Sequence, residues 1–440
     1  MSAARSALTL SVLAACSASP APGQDAPAVA VDAPVAPGGD AAPRIDGPPG
    51  PDAAVAACPA GSLGVRLGRD RLLVGGAMDD DAFAAAPFDL RYVYLSGDVP
   101  DPAPCASCAA CTVAGKSCAN AAGGCAWWGC WQYDQVAPGQ YVVDFIHAAE
   151  ARGAIPMFSY YVWYTIAGEV EKGPELAALA DAARTKRYLA DWRFLCRTVA
   201  RATSGPVIVQ IEPDLWGFGQ NVGGDDPTQV AAKVQAAGIA ACAGLPDDMT
   251  GFARCMVAIA RAEAPGALVA LHVSSWGAQF DAFVDNGPGF DLLGHADRTV
   301  AWFRALGATT DLFTLDMSDR DAGQNGHWFD ATNQTRPNFA DATAWAKRVV
   351  DGLGIPVLWW QVPYGHVGNV VACDADGNGA YEDNRVDYFF DHPERFAVGG
   401  ALGIAFGAGA ACQTTPRTDG GHFVARGSAY YAGTRPVLCE

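Results

Sequence analysis

Carboxyl side chains follow two of the apolar runs that predict buried strands. Glu212 comes directly after PVIVQI, and Asp316 comes directly after DLFTL. Two carboxyl groups can divide the work of general acid and of base or nucleophile when their surroundings push their pKa values apart. We therefore predict that Glu212 and Asp316 are catalytic carboxyl groups.

Aromatic and hydrogen-bonding side chains crowd the same run ends. Aromatic rings stack on the C–H faces of sugar rings, while carboxyl, amide and imidazole groups bond sugar hydroxyls, so this mixture suits a sugar ligand. The alternative is that the rings fill the core and the acids cap helices. The predicted substrate-binding residues are Tyr160, Trp163, Asp214, Trp216, His272, Trp276, Asp319, Trp360, Gln361 and Tyr364.

Eight β-rich runs alternate with helical patterns and must position these side chains. This order predicts an α/β fold with a parallel sheet, and eight units predict a closed (β/α)8 TIM barrel with its site at the carboxyl ends of the strands. An open doubly wound sheet is the alternative, but VGGAMDD lacks the G-x-G-x-x-G spacing. The runs are 71–78, 90–97, 154–163, 206–216, 267–276, 311–319, 356–365 and 400–409.

The segment VIVQIEPDLWG, together with the eightfold repeat of strand and helix, resembles the clan A glycoside hydrolases. The resemblance implies an acid/base glutamate before a proline at the end of strand four, and Glu212 matches it. It also implies a nucleophilic glutamate ending strand seven, where LWWQVPYG has Gln361 instead. This departure leaves Asp316, Asp319 or Asp214 as the second carboxyl group. The expected activity is hydrolysis of an extracellular polysaccharide, with no cofactor for catalysis.

Two other functions remain open. A carbohydrate-binding barrel that has lost a catalytic acid is the first, and Gln361 favours it. An envelope interaction protein is the second. In such a protein the aromatic side chains at the strand ends would fill the core, and the cysteine-rich insertion would be the surface that contacts a partner.

A further motif follows strand seven. Its oxygen-bearing side chains alternate before a glycine in the pattern D-x-D-x-N-G-x-x-E-D, which resembles the start of a calcium loop, although position twelve is Arg385. We predict a structural Ca²⁺ site there, with a solvated acidic turn as the alternative. The predicted ligands are Asp374, Asp376, Asn378 and Glu382.

The amino-terminal residues 1–16 predict export and lipid attachment. Arg5 precedes an apolar stretch too short to span a bilayer, and Leu13-Ala-Ala-Cys16 resembles a lipobox whose cysteine is lipidated. Residues 17–57, rich in Ala, Pro and Gly, predict a disordered linker, and 58–440 predict one folded domain. We expect a lipid-anchored envelope protein, and Ser17 after the lipidated Cys16 favours the outer membrane or cell surface.

The 14 cysteines are expected to form disulfides, because exported proteins meet an oxidising compartment. Six lie in an insertion at 98–135 after strand two, where we predict three local bridges; zinc or iron–sulfur ligation is the alternative. They are Cys105, Cys108, Cys111, Cys118, Cys125 and Cys130. The other predicted pairs are Cys242–Cys255, Cys373–Cys412 and Cys58–Cys439, with Cys196 left as a buried thiol.

The net charge of −18 argues against nucleic acid as a partner and against electrostatic adsorption to anionic lipid. Neutral or cationic ligands fit this charge better, and a polysaccharide is the expected partner. We expect a monomer whose only membrane attachment is its amino-terminal lipid.

Overall fold

The computed structural model describes residues 62–96, 99, 131–132, 138–317, 320–324, 326–369, 381–408 and 413–438. Within them, eight parallel strands pair in chain order and close into a barrel, because β1 also pairs with β8. The predicted (β/α)8 barrel is therefore confirmed, and the open sheet is excluded. The strands are β1 (Leu73–Gly76), β2 (Leu90–Leu95), β3 (Ile155–Tyr160), β4 (Ile208–Ile211), β5 (Leu268–His272), β6 (Leu312–Leu315), β7 (Val357–Val362) and β8 (Ala401–Phe406).

Helices surround the barrel and bury one apolar face each. In the long α6, for example, Tyr188, Trp192, Leu195 and Val199 recur at helical spacing and are all buried. No helix in the described part of the chain has the length and apolarity to cross a membrane. The helices are α1 (Leu63–Arg66), α2 (Asp80–Ala85), α3 (Gln140–Glu150), α4 (Trp163–Ile166), α5 (Gly173–Leu179), α6 (Ala182–Ala202), α7 (Leu215–Gly223), α8 (Met249–Glu263), α9 (Leu292–Leu306), α10 (Phe339–Leu353), α11 (Arg385–Asp391), α12 (Pro393–Val398) and α13 (His422–Ala432).

The observed strands are shorter than the apolar runs that predict them. The third run continues to Trp163 and the fourth to Trp216, but β3 ends at Tyr160 and β4 at Ile211. Trp163 begins α4 and Trp216 lies in the first turn of α7, so both side chains belong to helices. An apolar run does not mark where a strand gives way to a buried helix.

The described cysteines agree with two predictions. Cys242 and Cys255 form a disulfide that ties the segment before α8 to that helix, as expected from the sequence. Cys196 is buried on α6 and, within the described residues, forms no disulfide. The six insertion cysteines and the pairs Cys373–Cys412 and Cys58–Cys439 lie outside the described residues, as do Cys16 and the linker.

The carboxyl-terminal end of the insertion packs against α6. The ring of Trp131 is fully buried and stacks on Phe194 with centroids 5.5 Å apart. Gln132 hydrogen-bonds the Asp191 side chain. Trp131 and Gln132 therefore anchor this end of the insertion to α6.

Candidate active site at the carboxyl ends of the strands

Aromatic and amide side chains from β2, β5 and β7 meet at the carboxyl-terminal mouth of the barrel. The Trp360 ring lies 5.5 Å from the Tyr94 ring and 5.3 Å from the His272 ring, measured between centroids. The Tyr94 hydroxyl donates a hydrogen bond to Oε1 of Gln361. The structure thus brings together three predicted binding residues, His272, Trp360 and Gln361, around a tyrosine that the sequence analysis did not select.

A chain of hydrogen bonds crosses the barrel interior below these rings. Ser159 donates to Oε1 of Gln210 over 2.5 Å, and Nε2 of Gln210 donates to Oγ1 of Thr314 over 2.7 Å. The Thr314 hydroxyl is then free to donate to Nδ1 of His272, 3.1 Å away. This order assigns the imidazole proton to Nε2, which lies 3.8 Å from Oδ1 of Asp316.

Burial keeps His272 neutral beside Asp316. Removal from water lowers the pKa of His272 to about 3, so the contact at 3.8 Å joins a neutral imidazole to a carboxyl group. The Asp316 side chain is 15% exposed, whereas the His272 side chain is 1% exposed. Asp316 therefore presents a carboxyl group to the mouth, with the imidazole behind it.

Glu212 is enclosed between the barrel wall and the helices. Its Oε1 accepts hydrogen bonds from the backbone N–H of Val162 at 3.0 Å and of Trp163 at 3.3 Å, and from the Tyr188 hydroxyl at 2.8 Å. Its Oε2 has no partner among the described residues, and the side chain has no exposed surface. Burial raises the pKa of Glu212 to about 8, so the carboxyl group keeps its proton at neutral pH.

Asp214 and Tyr161 link the Glu212 region to the mouth. The Tyr161 ring contacts the Tyr94 ring at 6.2 Å and stacks on Tyr164 at 5.6 Å. Burial, followed by the charge of Asp214, raises the pKa of Tyr161, and the half-buried Asp214 lies three residues after the end of β4. Asp214 is therefore a second predicted carboxyl group near the mouth.

The ends of β4 and β7 adopt unusual backbone conformations. Glu212 has φ 43° and Gln361 has φ 54°, in the left-handed region that residues other than glycine seldom occupy. Such conformations cost about 1–3 kcal/mol and concentrate at functional sites. Both predicted catalytic positions of the clan A pattern therefore carry local strain.

Four of the predicted binding residues fill the core instead of facing the mouth. The Tyr160 hydroxyl donates to Asp191, and the Tyr364 hydroxyl donates to the carbonyl of Ala77. The Trp163 ring stacks on Tyr188, and Nε1 of Trp216 donates to the carbonyl of Ile211. None of the four has exposed surface through which a sugar could be contacted: Tyr160, Trp163, Trp216 and Tyr364.

Trp276 and Asp319 complete the predicted set. Trp276 is half-buried and packs on Phe218 with centroids 4.9 Å apart, so part of its ring remains accessible. Asp319 lies outside the described residues. Both stay predictions.

Sequence reasoning missed three side chains that shape the site. Tyr94 lies at the end of β2, where the same strand-end rule that selected the other residues could have found it. Gln210 lies near the same strand end, two positions before Glu212, but the set of predicted binding residues does not include it. Glu175 is in the helical run ELAALADAA, where nothing distinguishes it from a surface glutamate, yet it is 1% exposed.

The calcium prediction falls largely outside the described residues, which include Glu382 but not Asp374, Asp376 or Asn378. Oε1 of Glu382 accepts a hydrogen bond from the backbone N–H of Gly368 at 2.9 Å. Within the described ranges, no group of three or more His, Cys, Asp or Glu is arranged to hold a metal. The calcium site remains a prediction.

Asp383, next to Glu382, supports the fold through a buried ion pair. Its carboxyl group bonds the guanidinium of Arg385 and accepts from the backbone N–H of Ala322 at 2.8 Å, and both charged side chains are almost completely buried.

Asp383→Ala leaves the Arg385 charge uncompensated and is expected to lower the free energy of unfolding by about 3–5 kcal/mol. Urea titration of the variant and the wild type measures this loss of unfolding free energy. The control Asp391→Ala removes an exposed partner of Arg426 and should cost at most about 1 kcal/mol; equal effects would contradict the assignment.

No protein-family model matches the sequence, and comparison with curated proteins gave no match. Among solved structures, the chain is similar to a family 26 endo-β-1,4-mannanase from Cellulomonas fimi, with 16% identity, a TM-score of 0.41, and 67% of this chain and 57% of that chain covered. It is also similar to an endo-β-1,4-mannanase from Thermotoga petrophila, with 11% identity, a TM-score of 0.40, and 85% and 81% covered. A GH113 β-mannanase from Alicyclobacillus acidocaldarius aligns at 12% identity and a TM-score of 0.38, with 82% and 98% covered.

This chain thus spans little more than half the length of the Cellulomonas fimi protein. Similarities of this size carry no argument about the reaction. The architecture implied by the resemblance to clan A glycoside hydrolases, an eight-stranded parallel barrel, is the one observed.

Proposed function

We propose that this chain hydrolyses glycosidic bonds of a polysaccharide at the carboxyl-terminal mouth of its barrel. One observation carries the proposal: the same end of the barrel holds a carboxyl group that burial keeps protonated, Glu212, and a partly exposed one, Asp316. Glycoside hydrolysis needs an acid that protonates the leaving oxygen and a second carboxyl group that attacks the sugar or activates water.

The lining of the mouth supports a sugar as ligand. The half-buried Tyr94 offers aromatic surface, which the buried Trp360 ring supports from behind, and the partly exposed Asp316 carboxyl group can bond hydroxyls. Because His272 is neutral with its proton on Nε2, it can donate a hydrogen bond to Asp316 or to a hydroxyl between them. Aromatic surface combined with a few convergent polar groups is typical of sites for small polar ligands.

In the proposed reaction, Glu212 donates the proton to the leaving oxygen and Asp316 acts as base or nucleophile. Because Glu212 has no exposed surface, part of its surroundings must move to admit substrate, and we propose that the segment between α4 and α5, residues 167–172, does so. That segment is largely exposed, and two of its non-glycine residues, Glu169 and Lys172, have φ 62°. Such strained, exposed segments lie at the low-stability end of a structure, where covering loops are found.

A non-catalytic carbohydrate-binding barrel is the second candidate. Two observations favour it: Gln361 stands where the clan A pattern has a nucleophile, and Glu212 has no exposed surface. Such a protein would use the rings at the mouth to bind a polysaccharide without cleaving it.

The test uses purified protein and a panel of soluble polysaccharides that includes β-1,4-linked mannan, glucan and xylan. Release of reducing ends supports the hydrolase. Retarded migration in polysaccharide gels without release supports the binding barrel. If no polysaccharide is cleaved and none retards migration, both proposals are overturned, and the envelope interaction protein is the function that remains.

We further propose that the protein works outside the cytoplasm, anchored through a lipid on Cys16. The lipobox supports this, as does the disulfide between Cys242 and Cys255, which requires oxidising conditions. Cys16→Ser is expected to move the protein from the membrane to the soluble fraction and to abolish incorporation of labelled fatty acid. Incorporation that persists in the variant would contradict the anchor.

A further inference from the structure

Three half-buried tyrosines form a row of contacting rings at the carboxyl-terminal face of the barrel. Tyr94 lies near the end of β2, Tyr161 directly follows β3, and Tyr164 lies in the short helix α4. The ring centroids of Tyr94 and Tyr161 are 6.2 Å apart, and those of Tyr161 and Tyr164 are 5.6 Å apart. This tyrosine row is continuous with the mouth, because the Tyr94 ring contacts Trp360 and the Tyr94 hydroxyl bonds Gln361.

The two outer rings of the row are not core residues. Their sequence neighbours Tyr160 and Trp163 have no exposed surface, whereas Tyr161 and Tyr164 keep part of their side chains accessible to solvent. The Tyr161 and Tyr164 rings stack on each other within 9° of parallel. Tyrosine is favoured where one side of a ring packs on protein and the other meets a polar ligand or water, and accessible apolar surface of this kind marks interaction sites.

Hydrogen-bonding groups border the tyrosine row. The Tyr161 hydroxyl donates to Oε1 of the exposed Glu171 at 3.1 Å, and the Tyr94 hydroxyl donates to Oε1 of Gln361. Apolar ring surface edged by carboxyl, amide and hydroxyl groups matches a sugar, whose C–H faces are apolar and whose edge carries hydroxyls. The same kind of surface therefore extends from the mouth to α4.

We propose that the tyrosine row binds sugar units that lie outside the mouth, so that the site recognises a linear glycan several units long. The contacts run in one line from Trp360 through Tyr94 and Tyr161 to Tyr164, and successive units of one glycan can follow that line. The inference rests on the proposed function for the identity of the ligand as a polysaccharide. Binding along the row does not require cleavage.

The length of the glycan is the variable that tests the row. Calorimetry measures Kd for β-1,4-linked mannan, glucan and xylan oligosaccharides, from disaccharide to hexasaccharide, in the Glu212→Gln background so that cleavage does not consume the ligand. Tyr164→Ala should raise Kd for the hexasaccharide by about threefold to tenfold, the value of one aromatic contact. The loss should grow with oligosaccharide length, because only longer glycans reach from the mouth to Tyr164.

Two further substitutions at the same position are the controls. Tyr164→Phe keeps the ring and should retain the affinity for the hexasaccharide. Tyr164→Leu keeps an apolar side chain but has no ring, so it should lose affinity as Tyr164→Ala does, which separates the ring from a disturbance of α4. Equal affinities in the leucine and phenylalanine variants for every oligosaccharide would overturn the inference.

The outcomes for the row and for hydrolysis are distinguishable. Reducing-end release by the wild type, with no dependence of affinity on the Tyr164 ring, would overturn the tyrosine row and leave the hydrolase. Length-dependent binding that needs the ring, without reducing-end release, would support the row on a carbohydrate-binding barrel. If no oligosaccharide binds, the inference is overturned.

Discussion

Glu212→Gln is expected to lower kcat for polysaccharide cleavage by about 10²–10⁴-fold, because the amide cannot donate a proton to the leaving oxygen. The variant should fold, since its amide occupies the same volume and the carboxyl group that it replaces is mostly uncharged at neutral pH. Asp316→Asn is expected to cause a loss of similar size, because it removes the group that attacks the sugar or activates water. The rate of reducing-end release, measured at saturating substrate, reports both effects.

Glu263→Gln serves as the matched control for these two variants. Glu263 is the last residue of α8, at the end of the barrel opposite the carboxyl-terminal mouth, and it pairs with Arg193 and Arg197. Its replacement should therefore leave kcat unchanged. Near-UV circular dichroism on all variants shows whether the tertiary packing is retained. Full activity in Glu212→Gln would eliminate Glu212 as the acid, and full activity in Asp316→Asn would eliminate Asp316.

Between about pH 5 and pH 8 the free energy of unfolding is expected to fall as pH rises, with Glu212 contributing about 1.4 kcal/mol per pH unit. In the folded protein the pKa of Glu212 is about 8, against 4.5 for a glutamate in the unfolded chain. The folded state therefore binds the extra proton in this window, and the stability that this proton contributes is present below the unfolded pKa and is lost as pH rises through the folded pKa. Urea titrations at several pH values measure the slope.

Glu212→Gln should make the slope of unfolding free energy against pH less steep by about 1.4 kcal/mol per pH unit, because the amide does not titrate and one proton no longer contributes. Carboxyl groups with lowered pKa act in the opposite direction at lower pH; Asp330, which accepts hydrogen bonds from Thr332 and Thr335, is one of them. The comparison between wild type and variant removes their common contribution. An identical slope in the two proteins would show that Glu212 is ionised throughout.

The barrel could be predicted from the sequence because each strand is buried on both faces, which gives unbroken apolar runs separated by helical patterns. The boundaries of the helices were harder to predict. The run from 175 to 200 reads as one helix, but the Asp181 side chain accepts hydrogen bonds from the N–H groups of Ala183 and Arg184 and begins α6 there. The helical pattern at 384–397 divides before Pro393, because a proline disfavours helical geometry in the residue that precedes it.

Strand alternation explains why the site was only partly predictable. Gln210 points into the barrel, where it bonds Ser159 and Thr314, so strict alternation would also point Glu212 inward. The positive φ of Glu212 breaks the alternation and turns the carboxyl group toward Tyr188 on α6. No spacing rule encodes such a local conformation.

The helix α6 gives the cysteine-rich insertion a mechanical route to Glu212. Tyr188, which bonds Glu212, and Asp191, which bonds Gln132 at the end of the insertion, are three residues apart and lie on the same face of the helix. Trp131 is clamped on Phe194 one turn further along. A displacement of Trp131 or Gln132 would therefore reach, through this one helix, the tyrosine that donates a hydrogen bond to Glu212.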